Sequence, residues 1–329
     1  MSLPFDDSIP QSPPPIPSPP SLNWKYIYKQ RYLLHQNWIQ GRYTVRDFAG
    51  HEEAIYCLQF DEDKIVSGSR DHTIRVFDMK TQQLKQTFNR HKGSVLCLQY
   101  TNTLLVSGSS DSTIIQWSLT TGKYIRALHG HRESVLNLKF DDSLIVSCSK
   151  DKTIRIWRTE DGALVRILKG HRAAVNAIQF KCGMIVSASG DRTVKVWDMA
   201  TGELLRTLVG HGRGIACVQF DGELIVSGSS DRTIKIWNGR TGELLNTLVG
   251  HTELVRTLQF DDVKVVSASY DKSVKVWDIK TGALLLNLES HTHRVFKLQF
   301  NDCRIVSCSQ DQRIVVWDFS HGVDTSFFS

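Results

Sequence analysis

After residue 20 the chain has no proline; all eight stand at Pro4, Pro10, Pro13, Pro14, Pro15, Pro17, Pro19 and Pro20. Residues 1–21 therefore read as an extended, mobile leader, with a plain tether the simplest role for it. No apolar run approaches the ~18 residues that a membrane-spanning helix needs. The start has no basic-then-apolar stretch, so no secretory signal is expected. The seven cysteines are odd in number and show no paired spacing, which suits reduced thiols in the cytoplasm and/or nucleus better than a disulfide framework. Also missing are a phosphate-cradling glycine loop, a HExxH and a CxxC. No cofactor and no metal is expected. The net charge of +6 is compatible with ordinary solubility and hints only weakly at an acidic partner.

What is present is a repeat. Histidines stand at His51, His91, His131, His171, His211, His251 and His291, each forty residues after the last. Sixteen after each comes a serine: Ser67, Ser107, Ser147, Ser187, Ser227, Ser267 and Ser307. Twenty after each comes an aspartate, from Asp71 and Asp111 through Asp151, Asp191, Asp231 and Asp271 to Asp311. Twenty-six after comes Phe77, then Trp117, Trp157, Trp197, Trp237, Trp277 and Trp317. Glycine precedes the histidine in five copies, with Arg90 and Ser290 as the exceptions. A period of 40–45 with Gly-His and Trp-Asp signatures is that of a WD-type β-propeller, an all-β ring with one four-stranded blade per repeat. In the sixth unit the strands read LVRTLQF, VKVVSAS, SVKVWDI and LLLNLES. The seventh unit ends near Trp317 and lacks an outer strand. Residues 43–48 (YTVRDF) match the outer strands of the other units and are expected to pair there and close the ring. The expected division is a leader at 1–21, a helical segment at 22–42, the seven-bladed propeller at 43–319 and a tail at 320–329.

In that helical segment Trp24, Ile27, Tyr28, Arg31, Tyr32 and Leu34 recur at helical spacing and predict a short amphipathic helix with that face laid down. Seventeen after each histidine stand only Gly68, Gly108, Cys148, Ala188, Gly228, Ala268 and Cys308. A column confined to small residues marks close packing, so Cys148 and Cys308 read as space-fillers.

His, Ser and Asp together resemble the parts of a hydrolase. Seven copies around a ring cannot converge on one reacting atom, so they read as a hydrogen-bond network inside each blade, and the chain reads as a binding protein with no enzymatic activity.

The copies disagree at two columns. Five after the histidine stand Tyr56, Leu96, Leu136, Asn176, Ala216, Arg256 and Phe296; nineteen after it stand Arg70, Ser110, Lys150, Gly190, Ser230, Tyr270 and Gln310. The first begins a blade's first strand and the second ends its antiparallel partner, so both reach one rim. The preceding loop adds Ser94, Ser134, Arg213, Leu254 and Arg294. This face collects Arg70, Lys150, Arg213, Arg256 and Arg294 beside hydroxyls of Tyr56, Ser94, Ser110, Ser230 and Tyr270. Neither column holds an acid, and Glu53, Glu133 and Glu253 are expected to point outward. Several arginines among hydroxyls suit a phosphorylated peptide, with Leu96, Leu136, Ala216 and Leu254 as apolar floor. A solvated basic rim is the plainer reading. Nucleic acid fits less well, because the face is poor in aromatics for stacking and the cations ring a small mouth.

The residues also resemble a known family, the beta-transducin repeat-containing F-box proteins (beta-TrCP), substrate receptors of SCF-type ubiquitin ligases. The likeness spans 37–319. It is carried by NWIQGRYTV at 37–45, IYCLQFDEDKIVSGSRDHTIRV at 55–76, HKGSVLCLQY at 91–100, HRAAVN at 171–176, VSASGDRTVKVW at 186–197, GRGIACVQF at 212–220, VSGSSDRTIKIW at 226–237 and ELVRTLQF at 253–260. The resemblance implies binding of a doubly phosphorylated Asp-Ser-Gly-x-x-Ser degron. It implies that Tyr56, Arg70, Ser94 and Ser110 cradle the first phosphoserine, and Arg213, Gly214 and Ser230 the second. It further implies that Arg256 and Tyr270 meet the degron's Asp, with Asn176 and Gly190 beside its Gly and Lys150 in the same pocket. Relatives carry an F-box upstream, where this chain has only the leader and a helix. The expectation is that it recruits the ligase adaptor and cullin only if the full product carries that domain. The competing expectation is a structural scaffold that docks proteins by other surfaces.

Overall fold

A computed structural model describes residues 23–327. The proline-rich leader expected at 1–21 lies outside the described residues. Each repeat folds as four antiparallel strands. The first blade comprises Ile55–Phe60, Lys64–Ser69, Ile74–Asp78 and Leu84–Phe88, counted from the centre outward. Seven such four-stranded sheets form a seven-bladed β-propeller with one short N-terminal helix. The innermost strands of successive blades pack on one another around the ring.

The seventh blade takes its outer strand from the other end of the chain. Thr44–Phe48 pairs antiparallel with Ile314–Asp318, in a register running from Thr44 opposite Asp318 to Phe48 opposite Ile314. Arg46 adds bonds across the seam, to the Met79 carbonyl at 3.4 Å and the Asp318 carboxylate at 3.5 Å. Arg304 also bridges it, with Asp318 on its own blade and Glu62 on the first.

The aspartate column shapes the turns. In the first blade Asp71 Oδ1 accepts from the Thr73 amide and hydroxyl, and His72 between them sits at φ 69°. The same left-handed residue recurs in every blade, from His72 and Ser112 to Gln312. A short side chain that hydrogen-bonds two residues on offsets the cost of that conformation.

The small-residue column is explained by its cross-strand partner. Cys57 faces Gly68, Cys97 faces Gly108 and Cys217 faces Gly228. Where the partner is Asn137 or Lys297, the sulfur moves to the other strand as Cys148 or Cys308. A Cβ on Gly68 would sit 2.6 Å from Val95 of the next blade and 2.7 Å from the Cys57 sulfur. Cys148 and Cys308 are fully buried fillers.

The helix, α1, spans Trp24–Gln40 and ends at Gly41 in the left-handed conformation. Its buried face matches the expected one only at Ile27 and Leu34. Ile27, Gln30, Leu34, Asn37 and Trp38 are buried, while Trp24 and Tyr28 are each 72% exposed and Tyr32 is also exposed. The face is set by docking, which selects hydrogen bonds as well as apolar area. Asn37 Nδ2 donates to the Phe319 and His321 carbonyls, and Gln30 Oε1 accepts from the Asp324 amide. Trp38 stacks on Phe319 at 3.8 Å and donates to the Asp302 carbonyl.

Candidate functional site: the mouth of the propeller

The repeated polar residues form a closed network within each blade. In the fourth blade His171 Nδ1 lies 2.8 Å from Asp191 Oδ2, and His171 Nε2 lies 2.8 Å from Ser187 Oγ. Trp197 Nε1 donates to the same Ser187 Oγ at 2.8 Å. The carboxylate can only accept, so Nδ1 carries the proton, and Ser187 accepts from Trp197 and donates to His171. Ser187 is fully buried and has no access to a substrate. The His-Ser-Asp set is therefore structural. Glycine precedes the histidine because the tryptophan ring edge lies there, 2.9 Å from a Cβ built on Gly170.

The two variable columns meet at one rim. In the first blade the Arg70 amide donates to the Ala54 carbonyl. Ser110 does the same to Ser94, Lys150 to Ser134, Gly190 to Ala174, Ser230 to Gly214, Tyr270 to Leu254 and Gln310 to Arg294. Each residue nineteen after a histidine is thus held against the loop that leads into the innermost strand. Tyr56, Leu96, Leu136, Ala216, Arg256 and Phe296 line the central channel, a cavity of about 290 Å³.

The cations at this mouth are not equivalent. Arg70 Nε lies 3.3 Å from Glu53 Oε2, and Lys150 Nζ lies 4.0 Å from Glu133 Oε2. The expectation that Glu53 and Glu133 point outward is thus corrected. Each loop glutamate sits beside the rim residue that its blade's backbone bond brings next to it, and the opposite charges pair. Among the described residues Arg213 has no ion pair and no side-chain hydrogen bond, and its side chain is exposed. Arg256 has no ion pair there either; its Nη1 donates to the Ala216 carbonyl at 3.4 Å. Arg294 lies 4.9 Å over the Tyr270 ring. Tyr56 and Tyr270 both contact Phe296, at 5.0 and 5.8 Å. Phe296 is the centre of this aromatic arc and was not among the expected site residues. Its column is otherwise mixed, so no spacing singled it out.

On the opposite side, Asn176 Nδ2 donates to the Ile215 carbonyl of the next blade at 2.7 Å. Gly190 and Gly214 bring two blades into backbone contact, since a Cβ on Gly214 would sit 3.2 Å from Gly190 Cα. Ser230, held to Gly214, and Leu254, held to Tyr270, are half-buried.

Sequence reasoning also missed two lysines inside the channel. Lys139 replaces the glutamine that stands eight after the histidine in the other six blades, and Lys297 replaces smaller residues in its column. Those interruptions of otherwise uniform columns were the available signal. Burial, then the charge of Lys297, holds the Lys139 amine down at about 8. Burial, then Arg256, lowers Lys297. Among the described residues no carboxylate lines the channel. The interior is electropositive.

Seven four-stranded blades with one repeated hydrogen-bond network and a rim that varies from blade to blade define a WD-type β-propeller. The chain belongs to the WD domain, G-beta repeat family, whose profile matches residues 42–78, 82–118, 122–158, 162–198, 202–238, 242–278 and 282–318. It is similar to the probable E3 ubiquitin ligase complex SCF subunit sconB of Talaromyces marneffei, 41% identical over 64 residues, 20% of this chain and 10% of that protein. It is also similar to the probable E3 ubiquitin ligase complex SCF subunit scon-2 of Neurospora crassa, 32% identical over 72 residues, 22% of this chain and 11% of that protein. The match thus spans about a tenth of the length of these curated relatives. Among solved structures, the computationally designed Ika8 protein is similar, with a TM-score of 0.71 and 37% identity over 83% of this chain and 86% of that one.

Proposed function

We propose that this propeller is the substrate-recognition module of an SCF-type ubiquitin ligase, and that it reads doubly phosphorylated Asp-Ser-Gly-x-x-Ser-like peptides at its mouth. The names of the fungal relatives support the ligase assignment. The observation that carries the peptide chemistry is a pair of arginines without an ion pair among the described residues, Arg213 and Arg256, on the rim that also holds Ser230 and Tyr270. An arginine fork meets a phosphate or carboxylate through two parallel hydrogen bonds. Adaptor and cullin would be engaged only if the full product carries an F-box.

The test is a titration of the chain with a labelled peptide bearing two, one or no phosphates. Binding should require both phosphates. Arg213→Ala should cost about 2 kcal/mol, the loss of a charge-assisted hydrogen bond. Arg70→Ala should cost less, because Glu53 already competes for that guanidinium, and Glu53→Gln should tighten binding. Equal affinity for the unphosphorylated peptide would end the proposal.

A further inference from the structure

In five of the seven repeats a cation stands twenty-four residues after the histidine, on the third strand of the blade: Arg75, Arg155, Lys195, Lys235 and Lys275, with Ile115 and Val315 in the other two. A charge largely withdrawn from water needs a partner. In three blades the outer strand supplies it from the position directly opposite. Lys195 Nζ donates to Thr207 Oγ1 at 2.9 Å, Lys235 to Thr247 Oγ1 at 3.0 Å and Lys275 to Asn287 Oδ1 at 2.6 Å. Arg75 donates to Thr73 Oγ1 at 3.3 Å and lies 3.7 Å from Asp71.

Arg155 differs. The residue opposite it is Ile167, which has nothing to accept with. Arg155 is 8% exposed, and its Nε is enclosed with no hydrogen-bond partner. Among the described residues its guanidinium makes no ion pair. The Trp157 ring, 6.0 Å from Cζ, offers a π face and no acceptor. Beside Ile167 opens a pocket of about 380 Å³, with Arg132, Lys152 and Lys169 also on its wall. The one carboxylate on that wall, Asp151, is occupied. Its Oδ2 lies 2.8 Å from His131 Nδ1 and accepts from the Arg132 amide, and its Oδ1 accepts from Thr153. Four cations therefore line a pocket with a single carboxylate among the described residues, and the oxygens of that carboxylate already accept from neighbouring donors.

We propose that this pocket on the third blade binds a phosphate-type oxyanion, with Arg155 as the fork at its base and Lys152, Lys169 and Arg132 around it. The ligand takes the acceptor role that Thr207, Thr247 and Asn287 play in the fourth, fifth and sixth blades. The oxyanion is either free phosphate or a phosphoryl group on a larger ligand; the chemistry of capture is the same. The inference does not rest on the peptide reading of the mouth.

The test titrates the full chain with inorganic phosphate at constant ionic strength, following the thermal midpoint and the phosphorus NMR line width. A ligand bound only by the folded state raises the midpoint. Arg155→Met should lower phosphate affinity about tenfold or more, the loss of a charge-assisted hydrogen bond. Ile167→Thr, which supplies the internal acceptor found in other blades, should weaken it as well. Both variants should fold, since one removes an unpartnered charge and the other changes a residue exposed at the blade's edge. Arg213→Ala, at the mouth, should retain the Arg155-dependent response. Capture of inorganic phosphate but not of O-phosphoserine would support a free ion, and capture of both a phosphorylated ligand. The same affinity in Arg155→Met as in the parent would overturn the proposal, as would a response abolished by Arg213→Ala alone.

Discussion

Ser187 shows how much one residue can carry. Its hydroxyl accepts from Trp197 and donates to His171, and all three groups are sealed from water. Ser187→Ala leaves a buried donor and a buried acceptor orphaned, which should cost about 2–3 kcal/mol. The first blade supplies a control. There Phe77 has no N–H, so Ser67 serves His51 alone, and Ser67→Ala should cost roughly 1 kcal/mol less. Urea unfolding of the two variants compares them directly; equal losses would contradict the relay. The same network sets the response to acid. Burial lowers His171 and His211 below the usual 6.5, with Asp191 and Asp231 only partly restoring them. The unfolded chain therefore takes up protons first, and stability drops as pH falls through 6.5. Burial raises Asp191 and Asp231, but hydrogen bonds from Thr193 and the Arg172 amide, and from Thr233 and His211, outweigh it and hold both at about 2. Their contribution is complete above 3.8 and is lost as pH falls toward 2. Both effects have one sign. The urea midpoint should fall from pH 7 to pH 5 and again below pH 4, and a midpoint flat over that range would count against the assigned tautomers.

At the scale of the strand, identity between copies was what made the sequence legible. A column that holds histidine, serine or aspartate seven times over can be placed without coordinates, because one blade geometry must satisfy all seven. Columns that vary could be named as the mouth for the same reason, but not their partners. Arg70 and Glu53 meet through the backbone bond between a loop and a turn, a contact no periodicity records. The helix shows the same limit: α1 docks by Gln30 and Asn37 as much as by Leu34, and polar residues carry no apolar signal. The channel offers a test. In four blades the glutamine of the innermost strand reaches the next blade's backbone. Gln59, for example, donates to the Tyr100 carbonyl and accepts from its amide. Gln99, Gln259 and Gln299 make similar bonds. Lys139 cannot accept, and it places a charge where burial opposes one. Lys139→Gln should raise stability by roughly 2 kcal/mol at pH 7. The cost of the lysine charge is present in full below about 8 and fades as pH rises toward 10.5, so the advantage should shrink at pH 10. Chemical denaturation at the two pH values measures both, and a destabilised Lys139→Gln would refute the account.

For the whole molecule, the closing strand decides whether there is a mouth at all. Arg46 and Asp318 meet across 272 positions of sequence, so the ring closes by a contact that is entropically costly to form. Phe48 then buries itself against Phe77 of the first blade, and Trp38 and Phe319 cap the neighbouring core. Removing residues 1–48 would strip the outer strand from the seventh blade and leave Ile314–Asp318 as an unpaired edge, a template for pairing with another chain. The expected product unfolds at lower urea and self-associates with concentration in sedimentation. The mouth would be affected too. Tyr56 and Phe296 belong to the first and seventh blades, the two that this strand joins, and their rings are 5.0 Å apart. A seam that loosens separates them, while Arg213 and Ser230, on the fifth blade, keep their surroundings. On the proposed peptide reading, affinity in the truncated chain should therefore fall for a phosphate bound near Tyr56 and persist for one bound at Arg213. Singly phosphorylated peptides distinguish the two halves, and an unchanged midpoint with both phosphates read as before would show that the ring does not depend on its clasp.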